Sequence, residues 1–201
     1  MPEPIRFYFD FASPYGYFAS HRIEEIAHRH GRTVEWKAIM VWSLLKAHGI
    51  APPGAVELKW SYFVHDMKRS AAFYGLPYRH PDKLPFSAHK AGRLFNTIVR
   101  QDRDRAVRLA QAIYDAAFVE GRDITATDVL IEIGTRYGLT AEATGEAVEG
   151  EEGRALLASA IDEAIEAGAL GSPFFIVDGE PFFGADRLQQ IEWRLAGDRD
   201  G

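Results

Sequence analysis

The chain has no cysteine among its 201 residues. That excludes disulfides, thiolate metal sites and any redox couple built from the protein's own sulfur. Basic charge is also scarce: 23 Lys and Arg stand against 29 Asp and Glu, a formal net charge of −6. Phosphate binding needs clustered Lys and Arg, and no basic stripe occurs, so no nucleic-acid partner is expected. No apolar run approaches the roughly 20 residues of a membrane-spanning helix, so no membrane partner is expected either. Met1-Pro2-Glu3 leads straight into a strand-like segment, without a basic n-region or an apolar h-region. A cytoplasmic protein without a secretory leader is therefore the expectation. The apolar fraction of 47% is ordinary. It suffices for one compact domain, or a small domain carrying an insertion.

Ile5 to Phe9 is rich in aromatic and branched residues and reads as a strand. Ser13-Pro14 then opens a helix, with Ser at the N-cap and Pro at the first helical position, where its missing N–H costs nothing. Ala19, Ile23, Ile26, Ala27 and His30 follow at helical spacing, and Gly31 is a natural stop. Thr33 to Ala38 alternates like a second strand, which predicts a parallel β-α-β unit. Trp60, Phe63, Val64, Met67, Ala71 and Tyr74 keep a helical rhythm, ended by Gly75-Leu76-Pro77. Further helices are predicted around Ala88–Val99, Val107–Phe118, Asp128–Tyr137 and Leu156–Ala167. Strand signals return with Phe174 to Val177, then Asp178-Gly179 as a two-residue hairpin turn and Glu180 to Phe183 as its partner. Gly184-Ala185-Asp186 begins a last helix. The order predicts an α/β chain with a thioredoxin-like fold, βαβ…ββα, and an inserted all-helical domain. The expected division is 1–42 with 169–201 for the thioredoxin-like part and 43–168 for the insertion.

Three motifs carry chemistry. In Phe9 to Tyr17, FDFASPYGY, Ser13 stands where a reactive group would face the free N–H groups and positive end of the first helix. A serine cannot be a redox centre. It either caps the helix and does nothing more, or donates a hydrogen bond to the sulfur of a bound thiol and favours the thiolate. In Gly171-Ser172-Pro173, the proline at a strand entrance is either an ordinary trans residue or a cis-proline facing Ser13. In the cis case Ser172 would offer its main chain to an extended peptide ligand. In Phe183-Gly184-Ala185-Asp186-Arg187-Leu188, Asp186 either caps the last helix or pairs with the α-ammonium of a γ-glutamyl group. His28 and His30 point to different helical faces, and no metal site is expected. The aromatics Phe7, Phe9, Phe11, Tyr17, Trp36 and Trp42 read as core, whereas Tyr15 stands at the mouth of the presumed site.

Together FYFDFASPYGYFA, YFVHDMKRSAAFYGLP and GSPFFIVDGEPFFGADRL resemble the 2-hydroxychromene-2-carboxylate isomerases and kappa-class glutathione transferases over essentially the whole length. The resemblance implies a glutathione-dependent enzyme of the DsbA-like thioredoxin superfamily, with glutathione as cofactor. Ser13 would be catalytic and contact the sulfur. Ser172 and Pro173 would hold the cysteinyl backbone, and Phe183, Gly184, Ala185 and Asp186 the γ-glutamyl end. Tyr15 and either Lys46 or Lys59 would meet the second substrate, an aromatic electrophile. The reaction implied is reversible thiolate addition in aromatic catabolism, and the assembly implied is a homodimer.

The chain departs from the family at Gly49-Ile50-Ala51-Pro52-Pro53, where a ligand-contacting Asn is often found. Three outcomes stay open: an isomerase, a transferase that retains the conjugate, and a non-catalytic thioredoxin-like binding module. A thiol–disulfide oxidoreductase shares the topology but is excluded by the missing cysteines.

Overall fold

Alternation along β1 (Ile5–Phe9) sets the architecture, because it feeds two separate cores. Ile5, Phe7 and Phe9 point into the larger core, while Tyr8 joins Phe174, Ile176 and Leu44 on the opposite face. The computed structural model describes residues 2–197; the end of the expected thioredoxin-like part, 198–201, lies outside the described residues. After β1 come α1 (Pro14–Ser20), α2 (Ile23–Arg29), β2 (Val34–Ala38), α3 (Val41–Ala47) and α4 (Glu57–Tyr74). Five more helices follow: α5 (His89–Ile98), α6 (Arg103–Asp115), α7 (Thr127–Arg136), α8 (Ala141–Glu149) and α9 (Glu151–Glu166). The chain closes with β3 (Phe174–Val177), β4 (Glu180–Phe183) and α10 (Leu188–Leu195).

The four strands lie in the order β2-β1-β3-β4. β1 and β2 are parallel, as a crossover through α1 and α2 requires. β3 runs antiparallel to both β1 and β4, with Phe7 opposite Phe175 and their rings stacked at 5.0 Å. Asp178 and Gly179 have φ of 50° and 82°, the left-handed pair that a tight two-residue hairpin needs. Between β2 and β3 the described residues contribute helices and no strand. This is the α/β thioredoxin-like order. The intervening helices share the sheet's apolar core: Phe95 of α5 and Tyr114 of α6 both pack on Phe9, at 5.0 and 6.0 Å between rings. Edge strand β2 is blunted by side chains. Asn96 bonds both the N–H and the C=O of Ala38, and Arg103 donates to the Val34 carbonyl.

Two local expectations are corrected. The single helix expected from Ser13 to His30 is two, broken at His21-Arg22. There the Ser20 carbonyl accepts from the Gln111 side chain at 2.9 Å, and the Ser20 hydroxyl turns back to Tyr17 O at 2.7 Å. A long-range bond to the Ser20 carbonyl and a local one from its hydroxyl thus take the place of helical bonding. The last helix does not begin at Gly184: a 3₁₀ turn, Ala185–Arg187, precedes α10.

Candidate active site

Ser13 is the N-cap of α1, with extended backbone at φ −99° and ψ 112°. Its hydroxyl accepts the Gly16 N–H at 3.1 Å and donates to the Ser172 carbonyl at 2.9 Å. The Ser172–Pro173 bond is cis, and the main chain of that loop faces Ser13. Ser172 is buried, and its own hydroxyl accepts the Asp10 N–H at 2.9 Å. Two stretches distant in sequence therefore meet in one polar cluster: the link from β1 to α1, and the loop entering β3.

A residue without a side chain makes this meeting possible. A Cβ on Gly16 would lie 2.6 Å from the Tyr114 hydroxyl and 3.0 Å from the Ser172 hydroxyl. Tyr114 is fully buried and donates to the Asp10 carbonyl oxygen at 3.1 Å. Its phenol is pushed well up, by burial first and by the Asp10 charge second, so it stays protonated.

The cluster forms one end of a cavity of about 390 Å³. Ser13, Tyr15, Lys59, Ser172 and Phe183 all line it, so the fold brings these expected site residues together. The remaining walls are largely apolar: Trp42 and Leu45 from α3, and Trp60, Phe63 and Met67 from α4. The helical rhythm of α4 thus serves a binding wall more than a core. Met67 and Ala71 are its only fully buried members. Trp42, expected in the core, is 37% exposed at this cavity.

Tyr15 donates to the Asp66 carboxylate at 2.7 Å, joining α1 to α4. Burial, and then Asp66, push the Tyr15 phenol far up, so it acts as a donor and not as a base. Burial also pushes Asp66 up, but hydrogen bonds from Tyr15 and Arg69 outweigh this and hold its carboxyl below the ordinary value. Lys59 is exposed, with its ammonium 5.8 Å from the Phe63 ring centre. Lys46 is exposed in the last turn of α3 and does not line the cavity.

Gly184, Ala185 and Asp186 follow Phe183 in the chain, but unlike it they do not line the cavity. Gly184 has φ of 110°, a conformation L side chains rarely adopt, and its N–H donates to the Pro173 carbonyl at 3.0 Å. Ala185 is buried, and its carbonyl accepts from Tyr74 of α4. Asp186 is exposed and pairs with Arg187 at 3.4 Å; neither the 3₁₀ turn nor α10 has a side-chain cap.

A wider groove of about 850 Å³ runs along the β2 edge. None of the expected site residues lies there. Its charged groups are already paired, Glu24 with Arg103 and Lys37 with Glu163. Among the described residues no group of three or more acidic or His side chains could hold a metal ion. Nor is any helix long and apolar enough to cross a membrane.

Residues 4–196 match the DsbA-like thioredoxin domain. The chain belongs to that family. This DsbA-like chain is 29% identical over 194 residues to a 2-hydroxychromene-2-carboxylate isomerase of Sphingobium xenophagum, covering 96% of this chain and 97% of that one. It is 23% identical to glutathione S-transferase kappa 1 of Caenorhabditis elegans, covering 93% and 88%. Among solved structures, a 2-hydroxychromene-2-carboxylate isomerase superposes with a TM-score of 0.86 at 23% identity, over 96% and 94% of the two chains.

Within this DsbA-like frame, sequence reasoning missed Asp10, Gly16 and Tyr114 as site residues. Asp10 left a signal: it is the single charge in the otherwise uncharged run Phe7 to Tyr17, directly after a buried strand. Its side chain is 2% exposed. Burial raises its carboxyl to about 6, against the lowering effect of hydrogen bonds from the Ala12 and Val41 N–H groups. Gly16 and Tyr114 left none, because their closeness depends on the packing of α6 against α1.

Proposed function

We propose that the chain is a glutathione-dependent isomerase acting on an aromatic keto acid of the 2-hydroxychromene-2-carboxylate type. The observation that carries this reading is the cluster Ser13–Ser172–Asp10 at the end of an otherwise apolar, aromatic-lined cavity, in a chain without cysteine. Its volume lies within the roughly 300–1,000 Å³ typical of small-molecule sites. The similarity to 2-hydroxychromene-2-carboxylate isomerases over nearly the full length supports the choice of reaction.

The residues fit glutathione. Ser13 is a hydroxyl donor, Ser172 presents its main chain at the cis-proline, and Gly184 lacks the Cβ that would crowd the Asp186 carboxylate. When bound, glutathione supplies a thiolate that adds reversibly to an electrophilic carbon, so a double bond becomes single, rotates and re-forms as the thiol leaves.

Ser13 has one proton to give, and without ligand it goes to the Ser172 carbonyl. Serving the sulfur means releasing that carbonyl, which then accepts an N–H of the bound peptide. One rotation of the Ser13 side chain thus creates both a donor for the sulfur and an acceptor for the ligand backbone. Trp42, Trp60, Phe63 and Met67 exclude water from the aromatic substrate, and Lys59 attracts its carboxylate. Phe183, Gly184, Ala185 and Asp186 hold the γ-glutamyl end.

The test is to titrate the protein with glutathione and follow thiolate absorbance. Thiolate should form well below the ordinary thiol range near pH 8.5. Mass analysis after turnover should find an isomer without added sulfur. A conjugate that keeps the sulfur would make the protein a transferase, and a thiol pKa unchanged on mixing would sink both.

A further inference from the structure

We infer that Asp10 is a positioning residue, whose ionised carboxylate clamps the loop carrying Ser13 to the start of the helix carrying Trp42 and Leu45. One carboxylate oxygen accepts the Ala12 N–H at 2.9 Å, and the other accepts the Val41 N–H at 2.8 Å. Ala12 precedes α1 and Val41 begins α3, so the two bonds join opposite walls of one cavity. The main chain of the same residue adds three more ties. Its N–H donates to the Ser172 hydroxyl, and its carbonyl accepts from Ser13 N and from the Tyr114 hydroxyl. Every element that shapes the polar end of the cavity is bonded to Asp10.

The charge state of the carboxyl decides whether the clamp holds. An ionised carboxylate only accepts, and it satisfies both N–H groups. A protonated carboxyl carries an O–H on one of the two oxygens, and that oxygen is a poor match for an approaching N–H. The groups facing Asp10 are Ala12 and Ser13 from the loop, Val41 from α3, Ser172 from the loop before β3 and Tyr114 from α6. Lys59 of α4 lines the same cavity. Lys59 is the one cation among them, and it makes no bond to Asp10. The proton on Asp10 is therefore governed by burial against two amide donors, and it leaves near pH 6. The α-carboxyl and thiol groups of a peptide ligand titrate well away from this, at about 3.5 and about 8.5. A buried charge without a counter-ion burdens the fold. Its presence here is explained by what its two bonds hold in place.

The inference rests on the reading above only for its ligand, and the experiment separates the two. In the ligand-free protein, amide ¹H–¹⁵N shifts of Ala12 and Val41 are followed from about pH 5 to about pH 8, spanning the Asp10 titration. Both should titrate together with one midpoint near 6, and Asp10→Asn should abolish the change. Glutathione binding is then measured by calorimetry at both ends of the range. The wild type should lose about tenfold in affinity at the acid end, and Asp10→Asn should bind equally weakly at both. Amides that do not titrate together overturn the clamp, as does an Asp10→Asn protein that keeps the wild-type pH dependence. Should the variant not fold, the wild-type amides and calorimetry decide alone. If the wild type binds no glutathione at either pH, the functional reading falls, and the amide titration alone decides the clamp.

Discussion

The Ser13 hydroxyl donates to the Ser172 carbonyl across 2.9 Å while accepting the Gly16 N–H, so a helix cap and a ligand-facing loop share one oxygen. A residue that only capped the helix would have no reason to hold the cis-proline loop as well. Ser13→Ala should keep the fold, since a lost N-cap costs about 0.5–2 kcal/mol of stability. Turnover with glutathione should fall about 10²–10³-fold, the usual loss when one donor to a developing anion is removed from a dry site. Ser13→Cys should capture oxidised glutathione as a mixed disulfide detectable by mass. Full turnover in the first variant and no capture in the second would reduce Ser13 to a cap.

Gly16→Ala should destabilise the protein, although alanine is the better helix former by about 1 kcal/mol. The added methyl meets the Tyr114 hydroxyl at 2.6 Å, the Ser172 hydroxyl at 3.0 Å and the Asp10 carbonyl oxygen at 3.3 Å. All three atoms are held in place by hydrogen bonds of their own. Overpacking of this kind costs typically about 1–3 kcal/mol, so after the propensity gain a net loss of up to about 2 kcal/mol should appear in urea unfolding. Gly145, half-buried in the middle of α8, has nothing within 4 Å of its Cβ position. Gly145→Ala should be neutral or stabilising.

These expectations also show which parts of the molecule could be read from the chain alone. β1, β3, β4 and the Asp178-Gly179 turn follow from local chemistry: alternating or continuous apolar residues, and one turn that needs two left-handed residues. Ser13 and Ser172 were legible because each stands beside a proline at an element boundary. The break between α1 and α2 was not, since it depends on Gln111, some ninety residues away, taking the Ser20 carbonyl. α3 and α8 have seven and nine residues, too few turns for periodicity to separate them from their neighbours. The tie between Tyr15 and Asp66 is likewise invisible before α4 is docked beside α1. Spacing along the chain could not decide between Lys46 and Lys59; the fold places Lys59 on the cavity and leaves Lys46 outside it.

That placement makes the two lysines a matched pair for testing charge recognition. Lys59→Met should raise KM for an anionic aromatic substrate about two- to fivefold with kcat little changed, the scale of an exposed ion pair. The effect should shrink at high salt, because the ammonium is solvent-exposed and screened. Lys46→Met should leave both constants unchanged. Equal effects of the two substitutions would mean that long-range charge, and not contact in the cavity, is being measured.

The last expectation concerns stability, and its sign is opposite to that of most acidic residues. Burial raises the Asp10 carboxyl from 3.8 to about 6, so between these values the folded chain holds a proton that the unfolded chain has lost. Its contribution to stability is therefore fully present below about pH 3.8 and is lost as pH rises through 6. The whole span is on the order of 3 kcal/mol, of which about 2 kcal/mol falls between about pH 4.5 and about pH 7.5. Asp66 and Asp178 are lowered, so their contributions are lost on acidification, and the raw pH profile of the wild type mixes both signs. The difference between wild type and Asp10→Asn removes that mixture, because all other groups are common to both. Plotted against pH from chemical unfolding, the wild type should lose about 2 kcal/mol relative to the variant across this interval. At neutral pH the variant should be nearly as stable as the wild type: it sheds a buried charge but leaves one amide N–H without its acceptor, a cost of about 1–3 kcal/mol. A constant difference at every pH would mean that Asp10 ionises at its ordinary value in the folded protein, and a loss still growing above about pH 7.5 would mean that it is not yet charged in the folded protein at neutral pH. A variant crippled at neutral pH would mean that the two amide bonds matter more to the fold than to the shape of the cavity.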